Sequence, residues 1–193
     1  MSTLTNNIET VRFNLLQAND ILTSFLVQES NLMQIVSAAD LMKQSIENGH
    51  KIIACGNGGS MCDAMHFAEE LSGKFRNDRK AFAALSISDP SHITCVGNDY
   101  GFEFIFSRYI EALGKKGDIL LAISTSGNSA NVINAAKAAT EQGMKVVALT
   151  GKDGGQLSRI CDIEIRAPYS EFADRVQEIH IKIIHSLIQL IEA

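Results

Sequence analysis

Apolar residues recur every three or four positions along the first quarter of the chain. Ile8, Val11, Leu15, Ala18, Leu22 and Phe25 form a heptad-like seam, the spacing of one helix face, and Leu16 and Leu26 widen it. A second stretch, Leu32, Ile35, Val36, Ala39, Met42 and Ile46, follows Asn31 and Gln34, whose spacing resembles a capping box at a helix start. Residues 1–48 therefore read as a helical extension. The seam can pack on the protein's own core or against another subunit; its place ahead of the main domain favours the second.

Beyond residue 50 the period changes. Short apolar runs at 51–55, 82–87, 118–123, 145–150 and 162–166 alternate with helical stretches near 60–73, 90–97, 103–114 and 129–142, and a long last helix spans 171–192. Strands rich in Ile, Val, Leu and Ala, separated by helices, predict right-handed crossovers and a parallel sheet covered on both faces. Asp89-Pro90 marks a helix start, with an acid at the cap and proline in the first turn. With two prolines and no low-complexity linker, residues 49–193 read as one α/β domain.

Composition narrows the class. The 193 residues are 46% hydrophobic and 20% charged, which excludes a disordered or collagen-like chain and suits a single core. Acidic residues outnumber Lys plus Arg by 22 to 17, and no basic block occurs, so nucleic acid is not an expected partner. No apolar run is long enough for a membrane span, and Met1-Ser2-Thr3-Leu4-Thr5-Asn6-Asn7 lacks a signal peptide's basic and apolar regions. Cys55, Cys62, Cys95 and Cys161 form no CxxC pair and read as free thiols in a reducing cytoplasm. A cytoplasmic location is expected.

Two strand-to-helix turns carry the chemistry, because the ligand of such a sheet sits at the carboxyl ends of its strands. Gly56-Asn57-Gly58-Gly59-Ser60 lets backbone amides approach an anion at a helix start. Met61 stands where a dinucleotide fingerprint has its third glycine, and no P-loop motif occurs, so no nucleotide cofactor is expected. Ser124-Thr125-Ser126-Gly127-Asn128-Ser129 crowds hydroxyls at a second helix start. That arrangement suits a phosphate monoester, although a simple capped loop shows the same residue types. His66 and Glu70, four residues apart, share one helix face. On the last helix Asp174, Gln177 and Ile181 share a face, with His185 two turns beyond Gln177.

These two turns, Leu149-Thr-Gly-Lys-Asp-Gly-Gly155, Asp63-Ala-Met-His-Phe-Ala-Glu-Glu-Leu71 and Ala173-Asp-Arg-Val-Gln-Glu-Ile-His180 together resemble the sugar isomerase (SIS) domain. Within it they resemble the sedoheptulose 7-phosphate isomerase (phosphoheptose isomerase) family, from about residue 10 to the C-terminus. The resemblance implies a flavodoxin-like five-stranded parallel sheet flanked by helices. It implies interconversion of sedoheptulose 7-phosphate and D-glycero-D-manno-heptose 7-phosphate through an enediol, which begins ADP-heptose supply for the lipopolysaccharide core. A homotetramer is implied, its N-terminal helices in the assembly and its active sites at subunit interfaces.

By the same resemblance Glu70 is the general base and His185 the complementary acid/base. Asn57, Gly58, Gly59, Glu70, Asn98, Asp99, Asp174 and Gln177 contact substrate, while Ser124, Thr125, Ser126 and Ser129, with help from Ser60, hold the phosphate. His66, Glu70, Gln177 and His185 resemble a zinc-binding set. Eight residues of helix rise about 12 Å, so Gln177 and His185 reach one ion only by leaning together or from different subunits. His92 and His180 have no matched role, and packing is expected for His180, Cys55 and Cys62. Related non-enzymatic tetramers that bind the replication initiator protein share the fold, and sugar-phosphate-sensing regulators share the domain. Glu70 and His185 favour the enzyme, and no DNA-binding domain is appended.

Overall fold

The computed structural model describes residues 3–193; Met1 and Ser2, and with them the start of the expected extension and of the N-terminal stretch read for a signal peptide, lie outside the described residues. Two helices, α1 (Thr3–Leu26) and α2 (Glu29–Glu47), precede β1 (Ile52–Gly56) and α3 (Gly59–Ser72). There follow β2 (Ala84–Ser86), α4 (Pro90–Asp99), a 3-10 turn (Phe102–Phe104), α5 (Ser107–Leu113), β3 (Ile119–Ser124) and α6 (Ala130–Glu141). The chain ends with β4 (Lys145–Thr150), a second 3-10 turn (Leu157–Arg159), β5 (Ile163–Arg166) and α7 (Ala173–Glu192). The five strands are parallel in the order β2-β1-β3-β4-β5, the doubly wound flavodoxin-like order.

Alternation within each strand divides the core in two. Ile52, Ala54, Leu121, Ile123, Val147 and Leu149 face a cluster completed by α2, α3 and α7, through residues such as Met42, Phe67 and Leu187. Ile53, Cys55, Leu120, Ala122, Val146 and Ala148 face the other cluster, under α4, α5 and α6. Both faces are covered, which is why the strands read as unbroken apolar runs. Four buried alanines, Ala135, Ala136, Ala138 and Ala139, leave α6 little side chain to hold it away from the sheet. In α7 the residues Val176, Ile179, Ile183, Ile184, Leu187, Ile188 and Ile191 are buried, each worth about 1.5–3 kcal/mol of apolar burial. That seats the helix firmly alongside α3.

Several expectations are corrected. No capping box forms: α2 begins at Glu29 behind Gln28, which makes no side-chain cap bond, and Asn31 Nδ2 instead donates to the Phe25 carbonyl at 3.0 Å, closing the α1–α2 corner. The second strand is shorter than its apolar run, because the Phe82 amide donates to the Leu71 carbonyl at the end of α3. The helix expected at 103–114 is split into a 3-10 turn and α5 behind Gly101, whose φ is +103°. Asn98 and Asp99 close α4, which runs two residues past the expected end at 97. Asp89 does cap α4, accepting the His92 amide at 2.8 Å.

The two halves of the N-terminal helical region differ. In α2, Ile35, Ala38, Ala39 and Met42 belong to the main core. In α1, Phe25 is buried, but Ile8, Val11 and Leu15 remain 50%, 58% and 67% exposed. No helix among the described residues is long and apolar enough to cross a membrane.

Candidate active site

The strand order reverses between β1 and β3, and both anion turns leave the sheet at this switch point. Their side chains clasp each other. Asn57 Nδ2 donates to Asn131 Oδ1 at 2.9 Å, and Asn131 Nδ2 donates to Asn57 Oδ1 at 2.8 Å. Asn131 Oδ1 also accepts the Val132 amide at 3.0 Å, so the clasp is tied into the first turn of α6. Ser124 and Ser129 share a hydroxyl hydrogen bond of 3.0 Å, and Ser126 Oγ accepts the Asn128 amide at 3.1 Å. The hydroxyls of Ser124, Ser126 and Ser129 thus gather beside the start of α6, the kind of place that can hold an anion.

The loop after β4 closes the serine turn from the side. The Leu157 amide donates to the Gly127 carbonyl at 3.0 Å and the Gln156 amide to Asn128 Oδ1 at 3.1 Å. Gly127 has φ +64°, and a Cβ there would lie 2.0 Å from the Gly154 carbonyl oxygen. Glycine is required at Gly127 by both conformation and space.

A second cluster lies farther along α3. His66 Nδ1 donates to Glu69 Oε1 at 2.9 Å, while His66 Nε2 faces His185 Nε2 on α7 at 2.9 Å. Glu70 Oε1 is 3.8 Å from the same His66 nitrogen. With Nδ1–H given to Glu69, a neutral His66 presents a lone pair at Nε2, and the His185 Nε2–H donates to it. The His185 pKa is lowered: burial comes first and the His66 ring second, with Glu70 pulling the other way and Lys182 and Arg76 adding to the depression. Beside this cluster a cavity of about 620 Å³ runs between α3 and β2, with His66, Glu69 and Ser86 in its wall.

Two imidazole nitrogens and a carboxylate oxygen thus converge, a donor set that suits zinc. His66, Glu69 and Glu70 place ligand atoms within 4.8 Å of one another. Glu69 holds the far nitrogen of His66, the place of a group that orients a ligand rather than binding the ion. His66, His185 and Glu70 are the better set.

Not every expected residue joins. Gln177 lies with its amide against Gly59, where a Cβ would be 2.6 Å from Gln177 Oε1, two helical turns from His185. Asp174 is exposed in the first turn of α7, 3.3 Å from Arg175 Nη2. Asn98 and Asp99 are exposed and bonded to each other at 2.7 Å. Gly59 and Glu70 stand eleven residues apart on α3, about 16 Å of helix rise. Within one chain the glycine turn opens α3 and Glu70 lies near its far end, with His66 between them.

The sequence reading passed over Asn131, Glu69 and Asp63. Asp63 lies one turn before His66 and is buried, with Oδ2 unpartnered among the described residues. Burial pushes its carboxyl up to about 6, against a smaller downward pull from His66. The available signals were the three-residue spacings to His66, which surface helices show as often. Cys62 is exposed on the cavity wall rather than packed, whereas Cys55 is wholly buried and its thiol is pushed up to about 12 by burial.

His180 and His92 are structural. The His92 Nε2–H donates to the Ile105 carbonyl at 2.8 Å. The His180 ring is fully buried, its Nε2–H donating to the Thr150 carbonyl at 2.8 Å, and burial lowers its pKa to about 4 despite that bond. As pH falls the unfolded chain takes up this proton first, at about 6.5. His180's contribution is therefore complete above that value and erodes as pH drops towards about 4. In urea unfolding, wild-type stability minus that of His180→Gln is expected to shrink by about 3 kcal/mol between about pH 7 and pH 4. A pH-independent difference would refute the assignment.

Comparison with known proteins shows the family. Residues 15–151 match the family model described as the SIS domain. A phosphoheptose isomerase of Cytophaga hutchinsonii is 60% identical over 183 residues, covering 95% of this chain and 96% of that protein. The solved phosphoheptose isomerase of Neisseria gonorrhoeae superposes with a TM-score of 0.85 at 42% identity, covering 98% of this chain and 99% of the other. That of Francisella tularensis gives 0.86 at 38% identity, over 99% and 98%.

Proposed function

The chain belongs to the phosphoheptose isomerase family of SIS-domain proteins, and from that membership we propose how its residues divide the work of the reaction. The enzyme is an aldose–ketose isomerase that interconverts sedoheptulose 7-phosphate and D-glycero-D-manno-heptose 7-phosphate. A proton leaves C1 of the ketose, the electron pair forms an enediolate across C1 and C2, and a proton is returned to C2 while the O1 hydroxyl proton moves to O2. Nothing is gained or lost overall.

Glu70 is the base for carbon and His185 relays protons between the oxygens. The observation that carries this assignment is the convergence of Glu70, His66 and His185 from two packed helices, with nitrogens 2.9 Å apart and the carboxylate 3.8 Å from one of them. The His185 pKa is depressed, so the ring is neutral near neutrality, able to take one proton and give another. Ser124, Thr125, Ser126 and Ser129, with Ser60 and the first amides of α6, hold the phosphate. Asn57, Gly58 and Gly59 hold sugar hydroxyls.

His66, Glu70 and His185 would hold a zinc ion, joined by Gln177. Such an ion would polarise the C2 carbonyl. The sixteen-ångström separation along α3, about eleven residues of rise, supports a site completed between subunits, in which the cluster of one copy meets the anion turns, Asn98, Asp99, Asp174 and Gln177 of another. The exposed seam at Ile8, Val11 and Leu15 supports α1 as the contact that builds this homotetramer.

The test is conversion of sedoheptulose 7-phosphate to the aldose by purified protein in heavy water, with deuterium appearing at C2 of the product. Chelation and metal analysis accompany it. Full turnover in metal-free protein would remove zinc from the reading, and absence of turnover in metal-replete protein would remove the reading itself.

A further inference from the structure

The segment between α3 and β2, residues 73–83, contacts both helices that supply the acid/base pair. Phe75 lays its ring against the His185 imidazole, centroids 5.7 Å apart and planes 31° from parallel. The Arg76 guanidinium lies 5.2 Å from the Phe75 centroid, and its Nη1 donates to Gln189 Oε1, one turn beyond His185, at 2.9 Å. Arg79 reaches back to the end of α3: Nη2 donates to the Glu70 carbonyl at 2.8 Å and Nη1 to the Leu71 carbonyl at 2.9 Å. Its Nε donates to Glu192 Oε1 at 3.0 Å, joining side chains only 10% and 1% exposed.

Each contact has a mechanical meaning. The last carbonyls of α3 lack helical partners, and a cation there also satisfies the helix dipole. A planar guanidinium offers donors at fixed angles, so Arg79 sets where α3 ends relative to α7. Phe75 gives the His185 ring a flat wall on one side, leaving its rotamer little freedom.

We propose that residues 73–83 form a positioning strap for the acid/base pair, in which Phe75 fixes the orientation of His185 and Arg79 sets Glu70 against α7. This rests on the roles given above to Glu70 and His185. Phe75 and Arg79 are positioning residues: they act on the groups that do the chemistry.

The experiment compares Phe75→Leu, Phe75→Tyr and Arg79→Lys with wild type and Glu70→Gln in the full chain, measuring kcat, KM and melting temperature. Phe75→Leu keeps apolar volume but loses the flat ring; kcat is expected to fall about tenfold with KM unchanged, since ångström-scale misplacement costs up to a hundredfold. Phe75→Tyr keeps the ring and restores the wild-type kcat. Arg79→Lys replaces a rigid fork by one amine and lowers kcat about fivefold at unchanged KM. A role confined to stability would lower the melting temperature and leave kcat of the folded enzyme alone. Wild-type kcat in Phe75→Leu, or equal losses in the Leu and Tyr variants, overturns the strap while an inactive Glu70→Gln leaves the acid/base roles standing. An active Glu70→Gln overturns both. Should Phe75→Leu fail to fold, kcat and KM of Arg79→Lys decide in the same way.

Discussion

Glu70→Gln is expected to lower kcat for sedoheptulose 7-phosphate by about a thousandfold, within the range of about 10²–10⁴ that a positioned general base supplies. Glutamine has the shape of glutamate and keeps an oxygen to accept a bond, but it cannot take a proton from carbon. KM is expected to change little, because the reading proposed above places the grip on the phosphate at the serine turn. His185→Ala is expected to cost about a hundredfold, the lower end of the same range, since water can replace an oxygen-to-oxygen relay more easily than a carbon base. Both are read by following aldose formation over time, with metal content measured in each variant to separate lost ligation from lost proton transfer. Wild-type turnover in both would overturn the assigned roles.

Gly127→Ala is expected to destabilise the protein by about 3 kcal/mol, combining a left-handed backbone with an unrelieved overlap, and to raise KM for the sugar phosphate strongly. The added methyl would sit 2.0 Å from the Gly154 carbonyl oxygen, and a Cβ at Gly155 would in turn lie 2.6 Å from the Gly127 carbonyl. Two backbones meet here, and neither has a side chain that can swing aside. Gly59 offers the contrast, because a Cβ there meets the far end of Gln177, which can move. Urea unfolding together with KM checks the expectation; a variant with wild-type stability and wild-type KM would mean that the two turns can part without cost.

Local regularities were the readable part of the sequence. Buried strands such as Ile119–Ser124 announce themselves because every position is apolar or small, and the Asp89 cap is set by a single residue beside a proline. The Asn31–Gln34 pair failed because a capping box competes with other uses of the same side chain, and Asn31 is used to close the α1–α2 corner. The α1 seam was visible as a pattern, yet only tertiary packing decided that it is buried at Phe25 and bare at Ile8.

The site was legible to the same degree. His66 and Glu70 share a helix face by spacing alone. Nothing local links His66 to His185, 119 positions away, so that partner came through the resemblance. Asn131 was invisible because a buried asparagine inside a helix looks like any polar helix residue until its partner, Asn57, is seen across the switch point. The helix-rise arithmetic for Gln177 and His185 left two arrangements open, leaning together or donation from different subunits, and in this chain the Gln177 amide lies against Gly59.

The reciprocal hydrogen bonds between Asn57 and Asn131 tie the two loops at the switch point together, since neither side chain can rotate without breaking both of them. Loops already ordered before a ligand arrives surrender little conformational entropy on binding it. On the proposed reading, the donors around Ser124 can therefore spend their interaction on the phosphate, and those around Gly58 on the sugar, rather than on arranging the cradle that receives them.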